Sequence, residues 1–432
     1  MPELAILGGG IAGLAAAYTA REQGVEAVVY EAAGEAGGLL AAFELDGFRF
    51  DNAVHLSFAS EPEVRAVFDR TPYRTLKPES MCWDRGHWLR HPVQNNMHPL
   101  PVEEKVALIK GIIEREDRDI EHYGDWLLHQ YGGPIAERWP MVYTRKYWRL
   151  EADALGVDWI GNRMRRTQIE EVLRGALSDD RSNTYYVKEM RYPEKGGYYS
   201  FIRPLVEAAD IRYGHRVTGV DPAARTITFA DGATDSYDKL ITAMPLPVMI
   251  AAMPSAPADV AAAAASLMAT KIDLVSVGFN RADVPPHLWF YIYDEDIEAA
   301  RAYSPSFKSP DNVPPGKSSL QFEIYSHPTA ETANRDPGYL KDNTVMALER
   351  MGLSTAADIE VLHHKRLEWG NVVFDRGMEA RRDLALGWLK SLGIQSAGRF
   401  GEWDYLWSNQ SFMSGRAAAL ALTGPARAQV AE

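Results

Sequence analysis

The first thirty residues alternate between apolar runs and a glycine-rich break, a pattern that predicts a strand, a helix and a second strand. The apolar run Leu4–Leu7 is typical of a buried parallel strand, and the alanine-rich stretch Leu14–Gln23 predicts a helix that Gly24 ends. A further apolar run, Glu26–Tyr30, predicts the next strand, which leads directly into Glu31. The chain therefore begins with one complete β-α-β unit.

The hydrophobic pattern changes twice along the rest of the chain. Between residues 62 and 194, charged helical stretches such as Val102–His122 alternate with segments rich in Trp, Tyr and Arg, which predicts a mainly helical insertion. After residue 194, the pattern predicts strands at Thr226–Phe229, Lys271–Phe279 and Trp289–Tyr293, a loop at Ser304–Ser318, and a closing helix at Ser411–Leu422.

These changes divide the chain into three units. We expect a discontinuous nucleotide-binding domain formed by residues 1–61, 195–250 and 385–432, a mainly helical insertion at 62–194, and a sheet-containing substrate domain at 251–384. The fold class is therefore α/β, with a Rossmann-like domain, an inserted helical subdomain and a mixed-sheet substrate subdomain.

The glycine-rich break carries a nucleotide-binding fingerprint. Gly8, Gly10 and Gly13 have the GxGxxG spacing between strand and helix, and Glu31 follows the second strand. Gly8 permits a tight turn, Gly10 lets the backbone approach a pyrophosphate, and Gly13 lets the helix pack against the strand. Glu31 is placed to accept hydrogen bonds from ribose hydroxyls. We therefore expect a dinucleotide at the N-terminus of the first helix.

Two further glycine segments distinguish between FAD and NAD. The pair Gly37-Gly38 follows the ribose carboxylate closely, as in the large flavoprotein family of amine oxidases and protoporphyrinogen oxidase-like proteins, which the chain resembles here. A second segment, Gly398–Trp403, lies near the C-terminus. A dinucleotide that spans both ends of the chain fits FAD better than NAD.

Composition narrows the class of protein further. The chain has 432 residues with 46 basic and 59 acidic side chains, and this net charge of −13 argues against a general nucleic-acid or membrane-surface binder. The lone cysteine, Cys82, excludes an internal disulfide and favours noncovalent FAD. No apolar run is long enough to span a membrane, so we expect a cytoplasmic enzyme. We expect no metal site, because the neighbours His363 and His364 would point to opposite faces of a strand.

Five segments spread along the chain together resemble the UDP-galactopyranose mutases, especially the eukaryotic type. They are Gly47–Asp51 with His55; His91–Asn96; Trp159–Arg163; Trp289–Tyr291 with Arg301; and Gly398–Trp403 followed by Tyr405, Asn409–Gln410 and Ser411–Met413.

The resemblance implies an unusual use of FAD without net oxidation. In these mutases, N5 of the reduced flavin attacks the anomeric carbon of a nucleotide sugar, and the sugar ring then changes between pyranose and furanose forms. The resemblance also implies a small-molecule nucleotide-sugar substrate, an electron donor such as NAD(P)H, and a possible homo-oligomer.

The resemblance assigns roles to individual residues. The catalytic residues are His55 beside the flavin, and Arg163 and Arg301 at the diphosphate. The residues implied to contact substrate are His91 and Gln94 at the uracil end, and Trp289, Tyr291, Tyr405 and Asn409. The residues implied to contact FAD, beyond the glycines and Glu31 named above, are Val217, Arg399 and Met413.

Several positions depart from the mutase pattern. Ala53 and Val54 stand where a glycine pair precedes the flavin-side histidine, and Asn371 stands where a second diphosphate tyrosine is found. These departures leave open a second function, an FAD-dependent oxidase or desaturase of an amine or a secondary metabolite. For Arg301, the alternative to a ligand contact is an ion pair with the acidic run 294–298.

Overall fold

Strands of two main sheets organise the chain. The computed structural model describes residues 2–77, 79–161, 168–179, 189–285, 287–329 and 334–424. The strands are, in chain order, β1 (Leu4–Leu7), β2 (Ala27–Tyr30), β3 (Ala42–Leu45), β4 (Phe48–Asp51), β5 (Tyr73–Leu76), β6 (Ser80–Asp84), β7 (His87–Arg90), β8 (Met190–Pro193), β9 (Asp210–Arg212), β10 (Val217–Asp221), β11 (Thr226–Phe229), β12 (Thr234–Ser236), β13 (Lys239–Thr242), β14 (Lys271–Phe279), β15 (Trp289–Ile292), β16 (Arg301–Tyr303), β17 (Ser318–Ser326), β18 (Ile359–Leu367) and β19 (Gln395–Ser396).

Helices connect and cover these strands. They are, in chain order, α1 (Ile11–Glu22), α2 (Pro62–Phe68), α3 (Val102–Ile113), α4 (Tyr123–Tyr131), α5 (Gly133–Arg138), α6 (Pro140–Tyr147), α7 (Ile169–Leu177), α8 (Arg203–Ala208), α9 (Leu246–Ala251), α10 (Ala258–Ala265), α11 (Pro305–Lys308), α12 (Pro337–Arg350), α13 (Met378–Ser391), α14 (Gly398–Gly401) and α15 (Ser408–Thr423). Within the described ranges, no helix is long and apolar enough to cross a bilayer.

The first sheet is parallel and has β1 at its centre. Its strand order is β19-β13-β1-β2-β9, and Leu4 is in register with Ala27 on one side and with Lys239 on the other. All four residues of β1 are fully buried, as expected for a parallel strand covered on both faces. The predicted β-α-β unit is confirmed, and the α/β fold class with it.

The first and last helices of the sheet domain pack against each other at very close range. A Cβ on Gly415 of α15 would lie 2.0 Å from the carbonyl oxygen of Ala12 in α1, so only glycine permits this approach. Ala16 of α1 and Ala419 of α15 belong to one buried cluster together with residues of β1. The closing helix begins at Ser408, three positions before the predicted start.

The second sheet is mixed and larger. Its order is β18-β14-β17-β16-β15-β6-β7, and the nine-residue strands β14 and β17 pair along their whole length. Its pairs are antiparallel except β15 with β6. Strands β6 and β7 belong to the segment 62–194, so that segment contributes two strands to this sheet in addition to its helices.

Two element predictions differ from the structure. The helix expected at Val102–His122 ends at Ile113, because the next six residues, 114–119, are all charged and offer no apolar position to bury. The loop expected at Ser304–Ser318 contains α11, whose first turn is capped by the Ser304 hydroxyl accepting from the N–H of Phe307 at 3.0 Å. Lys308, at the end of α11, is fully buried against Asp51.

The ion pair between Lys308 and Asp51 fixes the end of β4. The Lys308 ammonium lies over the rings of Tyr192 and Tyr303, at 4.4 and 4.2 Å from their centroids. Asp51 Oδ2 also accepts from the Tyr192 hydroxyl at 2.8 Å, and its Oδ1 accepts from the N–H of Tyr198 at 3.0 Å. These contacts hold the segment that follows Asp51 against the second sheet.

Candidate active site

A cavity of about 1220 Å³ opens at the carboxyl ends of the parallel strands. Gly8 follows β1, Glu31 follows β2 and Ala243 follows β13, and all three line it. This is the edge at which parallel α/β sheets bind ligands. The cavity continues past the second sheet towards α4, α5 and α6, where its walls are mostly aromatic.

The glycine turn has room for a pyrophosphate. Gly8 has a φ of +104°, a left-handed conformation that favours glycine. A Cβ on Gly10 would meet no protein atom within 4 Å, so the backbone here faces the open cavity. Gly13 does not line the cavity; a Cβ there would lie 2.0 Å from the Gly8 carbonyl oxygen, which confirms its predicted packing role.

Glu31 connects the glycine turn to the end of β2. Its Oε2 accepts from the N–H of Gly9 at 2.7 Å, and its Oε1 accepts from the N–H of Ala33 at 2.8 Å. Each carboxylate oxygen retains a second lone pair, so both oxygens can still accept from ribose hydroxyls. Glu31 therefore fits the predicted ribose contact, and it also stabilises the turn itself.

Segments from both ends of the chain meet at this cavity. Gly37, Gly38, Val217, Gly398 and Arg399 all line it. Gly398 has a φ of +80°, and a Cβ there would lie 2.6 Å from Cβ of Ala12. The cavity, of about 1220 Å³ and lined by glycine backbone from both ends of the chain, thus has room for a dinucleotide.

The turn after β4 brings His55 to the cavity. Ala53 has a φ of +75°, and the N–H of Val54 donates to Glu323 Oε1 at 2.6 Å. His55 Nε2 lies 2.9 Å from the Leu39 carbonyl and 3.0 Å from that of Asn52, and because carbonyls only accept, Nε2 must hold the proton. Burial lowers the pKa of His55 to about 4, so the ring is neutral near pH 7.

Arg301 lies on the cavity wall in contact with a buried carboxylate. Its Nε donates to Glu323 Oε2, and its Nη2 donates to the Tyr325 hydroxyl at 3.1 Å. Its ion-pair partner is therefore Glu323 and not the acidic run 294–298. In that run, the largely buried Asp294 accepts from Trp83 Nε1 at 3.0 Å.

Tyrosines surround the Arg301 guanidinium. The Tyr147 ring lies 5.4 Å from Arg301 Cζ, and the Tyr147 and Tyr405 hydroxyls are 3.1 Å apart. Tyr291 packs against His91 with ring centroids 4.8 Å apart, and Tyr143 packs edge-on against Tyr291. Burial raises the pKa of Tyr147 and of Tyr143 well above the ordinary value, so both phenols stay protonated.

The structure brings most of the sequence-predicted residues together and separates a few. Those that line the cavity are His55, His91, Gln94, Trp289, Tyr291, Arg301, Tyr405, Gly8, Gly10, Glu31, Gly37, Gly38, Val217, Gly398 and Arg399. Asn409 and Met413 are not among the described residues that line it. Asn409 Nδ2 donates to Glu61 Oε1 at 2.8 Å, and Met413 packs against the cluster that contains Phe412. Arg163 lies outside the described residues.

Sequence reasoning missed Glu323 and Tyr325. Both are buried in β17, between apolar residues whose alternation suggests only a core strand. The available signal was the single charged residue within that strand, because a buried carboxylate requires a partner. Of the two histidines considered as metal ligands, His364 contacts a carboxylate, with its Nε2 2.6 Å from Asp273 Oδ1.

Comparison with solved structures extends over nearly the whole chain. The chain superposes on a reduced UDP-galactopyranose mutase with a TM-score of 0.91 and 25% identity, covering 98% of this chain and 96% of that one. Cyclohexylamine oxidase from Brevibacterium oxydans gives a TM-score of 0.70 and 16% identity, covering 98% of each chain. The mutase resemblance is confirmed by this fold.

The similarity to curated proteins covers a shorter part of the chain. A mitochondrial protoporphyrinogen oxidase from Nicotiana tabacum is 38% identical over 108 residues, which is 25% of this chain. The match spans only 21% of that protein, about a fifth of its length.

A sequence profile of a protein family matches nearly the whole chain. The profile of flavin-containing amine oxidoreductases matches residues 11–419, which include Glu31, every strand of the first sheet except β1, the whole second sheet and the C-terminal glycine segment. The cavity described above fits the dinucleotide that these flavoproteins bind, and the cofactor is FAD. The chain belongs to the flavin-containing amine oxidoreductase family.

Proposed function

We propose that this protein is an FAD-dependent nucleotide-sugar mutase that interconverts the pyranose and furanose forms of a sugar. Reduced FAD would supply a nucleophilic nitrogen and remain unchanged over a complete reaction. The protein would bind the nucleotide sugar, hold its diphosphate while the bond to the sugar is broken, and keep water away. The similarity to a reduced UDP-galactopyranose mutase along 98% of the chain supports this choice.

The observation that carries the proposal is the position of Arg301. Its Nε and Nη2 are held by Glu323 and Tyr325, whereas Nη1 makes no hydrogen bond with the described residues. The guanidinium is thus oriented before a ligand arrives and keeps donor capacity on the cavity side. A preoriented guanidinium suits the oxygens of a diphosphate, with which it forms charge-assisted hydrogen bonds.

Other predicted contacts are consistent with a nucleotide sugar. His91 and Gln94 line the cavity and offer polar atoms to a base, and Trp289 and Tyr291 offer aromatic surface to a base or sugar. His55 is neutral and protonated on Nε2, so we assign it to orienting the flavin environment and not to acid catalysis. Arg163 is retained in the proposal as a second diphosphate ligand.

An FAD-dependent oxidase or desaturase of an amine or secondary metabolite is the second candidate. The observation in its favour is Glu323, which balances the charge of Arg301 without any anionic ligand. The aromatic walls formed by residues such as Trp148, Trp159 and Tyr143 would also suit an apolar amine.

Turnover in two redox states distinguishes the two functions. The dithionite-reduced protein and the oxidised protein are each incubated with a panel of nucleotide sugars, and products and dissolved oxygen are measured. A mutase isomerises a nucleotide sugar only in the reduced state and consumes no oxygen. Oxygen consumption with an amine, together with no isomerisation in either state, would replace the mutase by the oxidase. Activity with NAD(P)H in place of dithionite would identify the electron donor class.

Ligand binding tests Arg301 directly. Arg301→Lys should raise the Kd for UDP at least about tenfold, because lysine cannot reproduce the oriented guanidinium. Arg350→Lys is the matched control, since Arg350 pairs with Asp296 on the surface. FAD content should be the same in both variants. Equal UDP affinity in both would remove Arg301 from the diphosphate site. We expect the same loss for Arg163→Lys.

The mode of FAD attachment is also open to test. Cys82 is fully buried and is not among the described residues that line the cavity. We therefore propose noncovalent FAD, which acid precipitation should release completely into the supernatant. Flavin that stays with the precipitated protein would contradict this.

A further inference from the structure

One buried carboxylate lies behind the cavity wall and contacts that wall at two places. Glu323 Oε1 accepts from the N–H of Val54 at 2.6 Å, and its Oε2 accepts from Nε of Arg301. Val54 and Arg301 both line the cavity, whereas Glu323 is fully buried and is not among the described residues that line it. A ligand in the cavity can therefore contact the two residues that Glu323 holds, and not Glu323 itself.

A tyrosine fixes the geometry at the Arg301 end. The Tyr325 hydroxyl accepts from Arg301 Nη2 at 3.1 Å and donates to Glu323 Oε2 at 2.6 Å. These directions follow from chemistry, because a guanidinium only donates hydrogen bonds and a carboxylate only accepts them. The three side chains thus form a closed ring of hydrogen bonds, in which a change at the guanidinium alters the contacts of the carboxylate.

The turn at the Val54 end requires an external contact to keep its shape. Ala53 has a φ of +75°, a left-handed conformation that is unfavourable for alanine. Such a conformation persists only where the surrounding structure holds it. The hydrogen bond from Val54 to Glu323 is a contact of this kind. The turn leads into His55, the residue assigned to the flavin side of the cavity.

We infer that Glu323 is a positioning residue that couples the ligand site at Arg301 to the turn beside the flavin. An anionic ligand shares the positive charge of the guanidinium, so less of that charge neutralises Glu323. The carboxylate then becomes a stronger acceptor for the N–H of Val54, and the turn is held more tightly. Because coupling between two sites is reciprocal, a firmly held turn also strengthens ligand binding. The identity of the ligand as a nucleoside diphosphate rests on the proposed function, whereas the contact of Glu323 with the turn does not.

Hydrogen exchange at the Val54 amide measures this coupling. UDP is added at saturation to the FAD-loaded, oxidised protein, and exchange is followed at single-residue resolution. UDP should slow exchange at Val54 at least about fivefold, the lower end of typical coupling between two sites. The control is the N–H of Gly9, which donates to another carboxylate, Glu31 Oε2, at 2.7 Å, and its rate should stay the same. An unchanged rate at Val54, or equal slowing at both amides, would overturn the inference.

A shorter carboxylate separates the two contacts. Glu323→Asp keeps the charge but lacks one methylene group, so it cannot reach Arg301 and Val54 together. It should stay with the guanidinium, because that hydrogen bond is charge-assisted on both sides. Without ligand, exchange at Val54 should then rise at least about tenfold, as expected for loss of a hydrogen bond to a charged group. A rate as slow as in the unmodified protein would overturn the inference.

The same variant tests whether the coupling passes through Glu323. UDP should no longer slow exchange at Val54 in Glu323→Asp, and an undiminished UDP effect would overturn the inference. If UDP does not bind to the unmodified protein, the proposed function fails, and inorganic pyrophosphate takes its place as the anion for Arg301. Slower exchange at Val54 with pyrophosphate would support the coupling for another anionic ligand, and an unchanged rate would overturn it.

Discussion

Removing Arg301 should destabilise the protein by leaving a buried carboxylate without its cation. The side chain of Glu323 is fully buried, and its contacts are Arg301, the Tyr325 hydroxyl and the N–H of Val54. Breaking one partner of such a buried pair costs about 3–5 kcal/mol, because the remaining charge is neither solvated nor compensated. We therefore expect Arg301→Met to lower the free energy of unfolding by this amount.

Two companion variants separate charge from packing. In Arg301→Met/Glu323→Gln neither of these two positions carries a charge, the glutamine oxygen can still accept from Val54, and its amide can donate to Tyr325. Most of the lost stability should return, whereas UDP affinity should stay as low as in the single variant. Arg350→Met, which breaks an exposed pair with Asp296, should cost at most about 1 kcal/mol.

The assay is urea unfolding of the FAD-loaded proteins, followed by flavin and tryptophan fluorescence together. If the double variant is as unstable as Arg301→Met, the loss comes from packing and not from the unpaired charge. If Arg301→Met is no less stable than Arg350→Met, the buried ion pair does not stabilise this fold.

Three further predictions concern the cofactor site and pH. Glu31→Gln should weaken FAD binding about tenfold or more. It should also lower the melting temperature of the apoprotein, because the carboxylate accepts hydrogen bonds from two backbone N–H groups. An unchanged melting temperature of the apoprotein would mean that Glu31 only binds the ribose. Gly10→Val should abolish FAD binding, measured by flavin fluorescence, yet change apoprotein melting little, since a Cβ at this position meets no protein atom within 4 Å. Retained FAD would exclude a pyrophosphate there. Burial lowers the pKa of His55 and of His91 from 6.5 to about 4, so both bind protons more readily when unfolded. Stability should be full above pH 6.5 and fall towards pH 4, by up to about 3 kcal/mol per histidine; a urea midpoint constant across this window would contradict the assigned burial.

The parts of the fold that follow from local sequence were predictable. The strand Leu4–Leu7, the helix behind it and the turn at Gly8 and Gly10 are specified by neighbouring residues, because glycine spacing and apolar runs act over a few positions. Most cavity residues were found for a different reason, since the resemblance to the mutases supplied their positions.

Long-range pairing explains what the sequence could not predict. Arg301 pairs with Glu323, 22 positions away, and not with the nearby acids, because β16 and β17 place the two side chains together. Lys308 pairs with Asp51, 257 positions away. This ion pair holds α11 in place, within a segment whose composition indicated a loop. Nothing in the local pattern around either residue indicates its partner.

The contact between Gly415 and Ala12 has a consequence for how the protein is made. The two helices that meet there are among the first and the last elements of the described chain, with 402 residues between Ala12 and Gly415. At about 5–20 residues per second, a ribosome needs roughly 20–80 s to synthesise the intervening chain. For most of that interval the face of α1 that packs on α15 has no partner, because neither α15 nor the glycine segment around Gly398 has been synthesised. Enclosure of FAD must therefore wait until the Gly398 segment and α15 have been synthesised, and the nascent polypeptide must remain soluble until then with this face of its first helix uncovered.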